Sequence, residues 1–146
     1  MSNTLTAPHI AHHQAPQVGQ TNILVVDDEQ AMQILASALI ERLGHASHAV
    51  GSGEEAIDAF KMAKETDQPY GVVVMDLALP GGISGLEATI ALKQIDPDVK
   101  IIVSSGYLEQ NARNAALENG FAGILPKPYT GERLASELRY VLKKSD

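Results

Sequence analysis

The chain has 146 residues, 45% of them apolar and 20% charged, which suits one soluble globular domain with a core large enough to need no staples. There is no cysteine, so disulfides and thiolate metal sites are excluded and the cytoplasm is the default compartment, and no apolar run approaches the roughly 20 residues of a membrane span. The formal net charge of -7 argues against binding nucleic acid through a general positive field and favours a protein or small molecule as partner.

Residues 1–20 carry Pro8, Pro16 and Gly19 among Gln and Ala with no apolar periodicity, and they read as a flexible tail or linker remnant without a signal peptide. His9, His12 and His13 in that tail lack the partner ligands and scaffold of a metal site. From Asn22 onward, short apolar runs alternate with helical patterns, as in repeated βα units around a parallel sheet. A first strand is predicted over about 22–27. It leads to a helix near 29–43 with Met32, Leu35, Leu39 and Leu43 on one face and Gly44 as its stop. A short second strand over about 46–50 precedes Ser52-Gly53-Glu54-Glu55, a capping box that opens a helix running to about 65. The third strand, about 71–76, is nearly continuous Val and must be central.

After Asp76 the segment Leu79-Pro80-Gly81-Gly82-Ile83-Ser84-Gly85 is irregular, and a helix resumes around 86–94. A fourth strand is predicted at about 99–104, a helix at about 109–119 stopped by Gly120, and a fifth strand at about 121–125. Thr130 caps a last helix that buries Leu134, Leu138, Val141 and Leu142.

Asp27 and Asp28 close the first apolar run, Asp76 the third and Ser105 the fourth, while Lys127 follows Ile124-Leu125-Pro126. In an open parallel sheet, ligands bind outside the carboxyl ends of the strands, near the point where strand order reverses. The common order 2-1-3-4-5 for five units, a doubly wound α/β arrangement of the flavodoxin-like kind, makes strands one and three neighbours and gathers the three aspartates. Carboxylates about 4 Å apart repel by roughly 4 kcal/mol per pair at an effective dielectric of 20, so the cluster calls for a cation, and all-oxygen ligation suits Mg²⁺. An aspartate that accepts a phosphoryl group, with Lys127 and a hydroxyl on its oxygens, is the chemistry such a site favours. Each residue alone also has a plainer reading as a helix cap, a satisfied strand-end hydroxyl or a solvated lysine. Only their joint placement makes the site.

The runs ILVVDDE at 23–29, MDLALP at 75–80, IIVSSGY at 101–107 and LPKPY at 125–129 resemble the receiver domains of two-component response regulators, and the resemblance covers nearly all of 22–144. It implies a receiver over 21–146 with Asp76 as phosphoacceptor. Asp28, Asp76 and the Ala78 backbone carbonyl would ligate Mg²⁺ directly, with Asp27 acting largely through water. Ser105, rather than Ser104, matches the hydroxyl position, and a cis bond is implied at Lys127-Pro128. The implied partners are a sensor histidine kinase or a histidine phosphotransfer protein, with no direct contact to nucleic acid or membrane and a homodimer left open. Such a domain is not an enzyme, although it takes part in its own phosphorylation and dephosphorylation.

Three features depart from or refine the pattern. The loop after Asp76 reaches Gly85 one residue late, which reads as an insertion at Gly81-Gly82; this loop and Ser105-Gly106-Tyr107 resemble receivers of hybrid histidine kinases. Ile124 stands where receivers often carry an aromatic residue on the fifth strand, so an altered switch is expected, with Tyr107 as a substitute that also slows loss of the phosphate. A metal-dependent hydrolase using Asp-x-Asp would need an acid at Ala78, and no P-loop occurs. A phosphate-independent interaction module would have lost Asp76 or Lys127, and both are present.

Overall fold

A computed structural model of the chain describes residues 20–106 and 112–143, in which strands and helices alternate in the predicted order. The strands are β1 (Asn22–Val26), β2 (Ala46–Val50), β3 (Val72–Asp76), β4 (Lys100–Ser105) and β5 (Gly123–Pro126). The helices are α1 (Gln30–Arg42), α2 (Gly53–Lys64), α3 (Gly85–Ile95), α4 (Ala112–Glu118) and α5 (Gly131–Lys143). All pairings are parallel, and the order across the sheet is β2-β1-β3-β4-β5. The N-terminal tail with its histidines, and Tyr107, lie outside the described residues.

Strand residues alternate between two cores because successive side chains leave opposite faces of a sheet. Leu24, Val26, Val73, Met75, Ile101 and Val103 pack with Ala56 and Phe60 of α2 and with Ala88 and Leu92 of α3. Ile23, Val25, Val72, Val74, Ile102 and Leu125 pack instead with Ala36 and Ile40 of α1 and with Leu134, Leu138 and Val141 of α5. All five residues of β3 are buried, as its run of Val predicts for a central strand covered on both faces. Gly44 and Gly120 follow their helices at φ of 93° and 90°, the left-handed conformation expected of helix stops.

The buried face of α1 differs from the predicted stripe. Leu35 and Leu43 are each 41% exposed, whereas Ala36 and Ile40 are buried, with Met32 and Leu39 at the margin. The helix presents its small Ala36 to the sheet, which lets the backbones approach, and a reading weighted by side-chain size misses that. In α5, Leu142 is only half-buried, and Glu137 takes a core position that no apolar pattern reveals.

Helix entries follow local chemistry. The Ser52 hydroxyl accepts from the Glu55 N–H at 3.1 Å, while Glu55 Oε1 accepts from the Gly51 N–H at 2.8 Å, so the predicted box is closed one residue early. A full reciprocal box, not foreseen from sequence, opens α3: Ser84 Oγ accepts from Glu87 N–H at 3.0 Å, and Glu87 Oε1 from Ser84 N–H at 2.8 Å. Thr130 Oγ1 accepts from Arg133 N–H at 3.1 Å, as expected of a cap.

Candidate phosphoryl and metal site

The register aligns Val26 of β1 with Met75 of β3, so the next residues, Asp27 and Asp76, leave the sheet side by side. Both are buried, and Asp28 beside them is exposed. Each of the three offers a carboxylate oxygen within 4.8 Å of the others.

Each buried carboxylate is held twice. Asp27 Oδ1 accepts from the Glu29 N–H at 2.9 Å, and Asp76 Oδ1 accepts from the Ala78 N–H at 2.9 Å, local turns that aim the side chains. Their other oxygens share Lys127, whose Nζ is 2.8 Å from Asp27 Oδ2 and 3.2 Å from Asp76 Oδ2. Glu29, 64% exposed, lies farther from that ammonium at 3.8 Å, in keeping with a flanking role. Burial works to lower the Lys127 pKa, but the bonds and charges of Asp27 and Asp76 outweigh it and leave the ammonium raised above its ordinary value. Three carboxylates facing one ammonium keep an excess of negative charge, and an all-oxygen donor set with that excess fits a hard divalent cation.

Ser105 ends β4 at the same edge, and its carbonyl accepts from the Lys127 N–H at 2.9 Å, tying the two residues backbone to backbone. Its neighbour Ser104 pairs in register with Asp76, but among the described residues the buried Ser104 hydroxyl has no hydrogen-bond partner. Ala78 is exposed two residues beyond Asp76. The Lys127-Pro128 bond is cis.

Several neighbours escaped the sequence reading. Tyr129, quoted within LPKPY but given no task, is buried; desolvation first, and then the charge of Asp27, push its phenol up to about 12. Gln33 Nε2 donates to the Asp27 carbonyl at 2.7 Å. Glu54 Oε2 accepts from the Ile83 N–H at 2.9 Å, anchoring the Gly81-Gly82 loop to α2. At Gly85 a Cβ would overlap the Asp76 carbonyl oxygen, so α3 can begin against the site only with glycine there. Proximity in sequence signals none of these except Tyr129.

The family model of the response regulator receiver domain matches residues 23–139. The chain belongs to the response regulator receiver family. Among curated relatives, this receiver is 32% identical over 129 residues to the sensor kinase CckA of Brucella abortus, covering 88% of this chain and 13% of that kinase. It is 29% identical over 122 residues to the chemotaxis protein CheY of Thermotoga maritima, covering 83% of this chain and 97% of that protein. A crystal structure of a two-component response regulator of the LuxR family from an Aurantimonas species superposes with a TM-score of 0.73 at 28% identity, covering 86% of each chain. The receiver therefore spans a small part of some relatives and nearly all of others. Receivers are phosphoacceptor domains of two-component signalling, and the pocket of Asp27, Asp28 and Asp76 fits that role.

Proposed function

We propose that Asp76 accepts a phosphoryl group from the phosphohistidine of a sensor kinase or a histidine phosphotransfer protein. The bridge of Lys127 between Asp27 and Asp76 carries this reading, because it sets one partly buried cation beside the Asp76 carboxylate. An Asp76 carboxylate oxygen attacks phosphorus, the P–N bond breaks, and the departing imidazole nitrogen keeps the electron pair. Lys127 and the Ser105 hydroxyl then bind phosphoryl oxygens. Asp28, Asp76 and the Ala78 carbonyl would hold Mg²⁺, with Asp27 acting largely through water, and the ion would supply further positive charge for the oxygens of the transferring group. Asp76, Lys127 and Ser105 thus make the domain a participant in its own phosphorylation and in the later loss of the phosphate.

The output passes through protein contacts, with no direct role for nucleic acid or membrane, in a cytoplasmic setting and with self-association as one route. A charge of -7 and the lack, among the described residues, of any helix long and apolar enough to cross a membrane support that reading. Incubation with acetyl phosphate and Mg²⁺, followed by intact-mass measurement of wild type and Asp76→Asn, tests the assignment. A single adduct on wild type alone is expected. Equal adducts on both proteins would place the acceptor elsewhere, and metal-dependent turnover without an adduct would favour a hydrolase.

A further inference from the structure

Among the described residues, Glu137 is the only buried charged group outside the phosphoryl site, at 1% exposure on α5. Its Oε2 accepts from the Ile124 backbone N–H of β5 at 2.8 Å and from Arg113 Nη1 of α4 at 3.0 Å, while Oε1 accepts from Arg113 Nη2 at 2.8 Å. Gly123 makes room for it, since a Cβ there would overlap Glu137 Oε2. The Arg113 guanidinium also lies 4.6 Å above the centre of the Tyr140 ring of α5.

These contacts join three elements on one carboxylate. β5 is an edge strand paired only with β4, and Glu137 takes an edge N–H that the ladder leaves free. A buried carboxylate is tolerated only where its charge is matched and its oxygens are bonded, and the forked pairing with Arg113 meets both needs. Among the described residues, α4 (seven residues) has little else to hold it: of its described side chains only Ala116 is buried, and Leu117 is 41% exposed. α4 is the element that follows β4 in the chain, and β4 ends at Ser105 on the phosphoryl edge of the sheet.

We propose that the Arg113–Glu137 pair is a latch that fixes α4 against β5 and α5 in the resting domain, and that phosphorylation of Asp76 works against it. The second half rests on the phosphoryl reading above. Replacing Arg113 therefore frees α4 and shifts the domain toward its activated arrangement, which a phosphoryl mimic then captures more readily.

Hydrogen exchange and beryllofluoride titration in Mg²⁺ test both halves in Arg113→Gln. Arg133 Nη1, 3.9 Å from Glu137 Oε1, still faces the carboxylate in that variant; should it nonetheless unfold, the double change Arg113→Gln with Glu137→Gln removes the buried charge and retains an acceptor for Ile124. The expected result is exchange about tenfold or more faster at Ala116, Leu117 and Glu118, unchanged exchange in β1 and β3, and tighter beryllofluoride binding. Wild-type exchange rates in α4 would overturn the latch, and faster exchange with unaltered beryllofluoride affinity would overturn its coupling to the site. If wild type takes up no beryllofluoride, the phosphoryl reading falls, and the exchange rates alone decide whether the pair holds α4.

Discussion

Lys127 stands 2.8 Å from Asp27 and 3.2 Å from Asp76, so one ammonium neutralises part of the charge of two buried carboxylates carried by different strands. Removing it leaves those carboxylates facing each other and Asp28 with no cation. Lys127→Met is expected to destabilise the metal-free protein by about 3 kcal/mol, the order seen when a buried pair loses one partner. Urea unfolding in chelator would show the loss, and millimolar Mg²⁺ should recover much of it, because the divalent ion takes over the neutralisation. A loss that is the same with and without Mg²⁺ would mean that the ion does not bind among these carboxylates.

Gly85 begins α3 where a methyl group would run into the Asp76 carbonyl oxygen and the backbone of Leu77. Backbone cannot rotate aside as a side chain can, so Gly85→Ala must push the helix away from Asp76. A destabilisation of roughly 1–3 kcal/mol is expected, together with slower phosphorylation by acetyl phosphate. Thermal unfolding and the rate of adduct formation measure the two effects separately.

The two adjacent serines of β4 should respond in opposite ways. Ser104 buries a hydroxyl with no partner among the described residues, so Ser104→Ala discards an unsatisfied polar group and is expected to be neutral or stabilising by about 1 kcal/mol, with phosphorylation intact. Ser105→Ala is expected to slow phosphorylation. Comparing unfolding midpoints and adduct kinetics for the pair checks which hydroxyl serves the site; a larger kinetic loss in Ser104→Ala would reverse the assignment.

His45 accepts the Thr21 N–H on Nδ1 at 3.0 Å, and burial holds its pKa below the ordinary 6.5. The folded state therefore binds fewer protons than the unfolded chain once pH drops below that value. Its contribution to stability is complete above 6.5 and is lost as pH falls toward the lowered folded pKa. Urea midpoints of wild type and His45→Asn, compared between about pH 7 and about pH 5, should show the steeper decline in wild type. Parallel declines would remove His45 from the cause.

Much of the site was legible because its signals are local. A run of apolar residues ends where a strand leaves the sheet, and parallel strands deliver their ends to one edge, so Asp27, Asp28, Asp76, Ser105 and Lys127 could be grouped before any coordinates. The Thr130 cap was legible for the same reason, since a cap is specified by a short local motif, whereas the cis Lys127-Pro128 bond was implied only by the family resemblance. The face of Met32, Leu35, Leu39 and Leu43 is not the one that α1 buries, because periodicity identifies a face only to within one helical position, and Ala36 and Ile40 pack into the core instead.

By itself, then, the sequence determined the five βα units, the sheet order they favour and the identity of the polar residues at the strand ends. Tertiary structure alone decided that Lys127 bridges Asp27 and Asp76, that Ser104 buries its hydroxyl with no partner among the described residues, and that Glu137 enters the core to join Ile124 and Arg113. Hydrophobic period and turn chemistry act over a few residues and can be read along the chain. The partner of a buried charge is chosen by packing, among groups that only folding brings within hydrogen-bond reach.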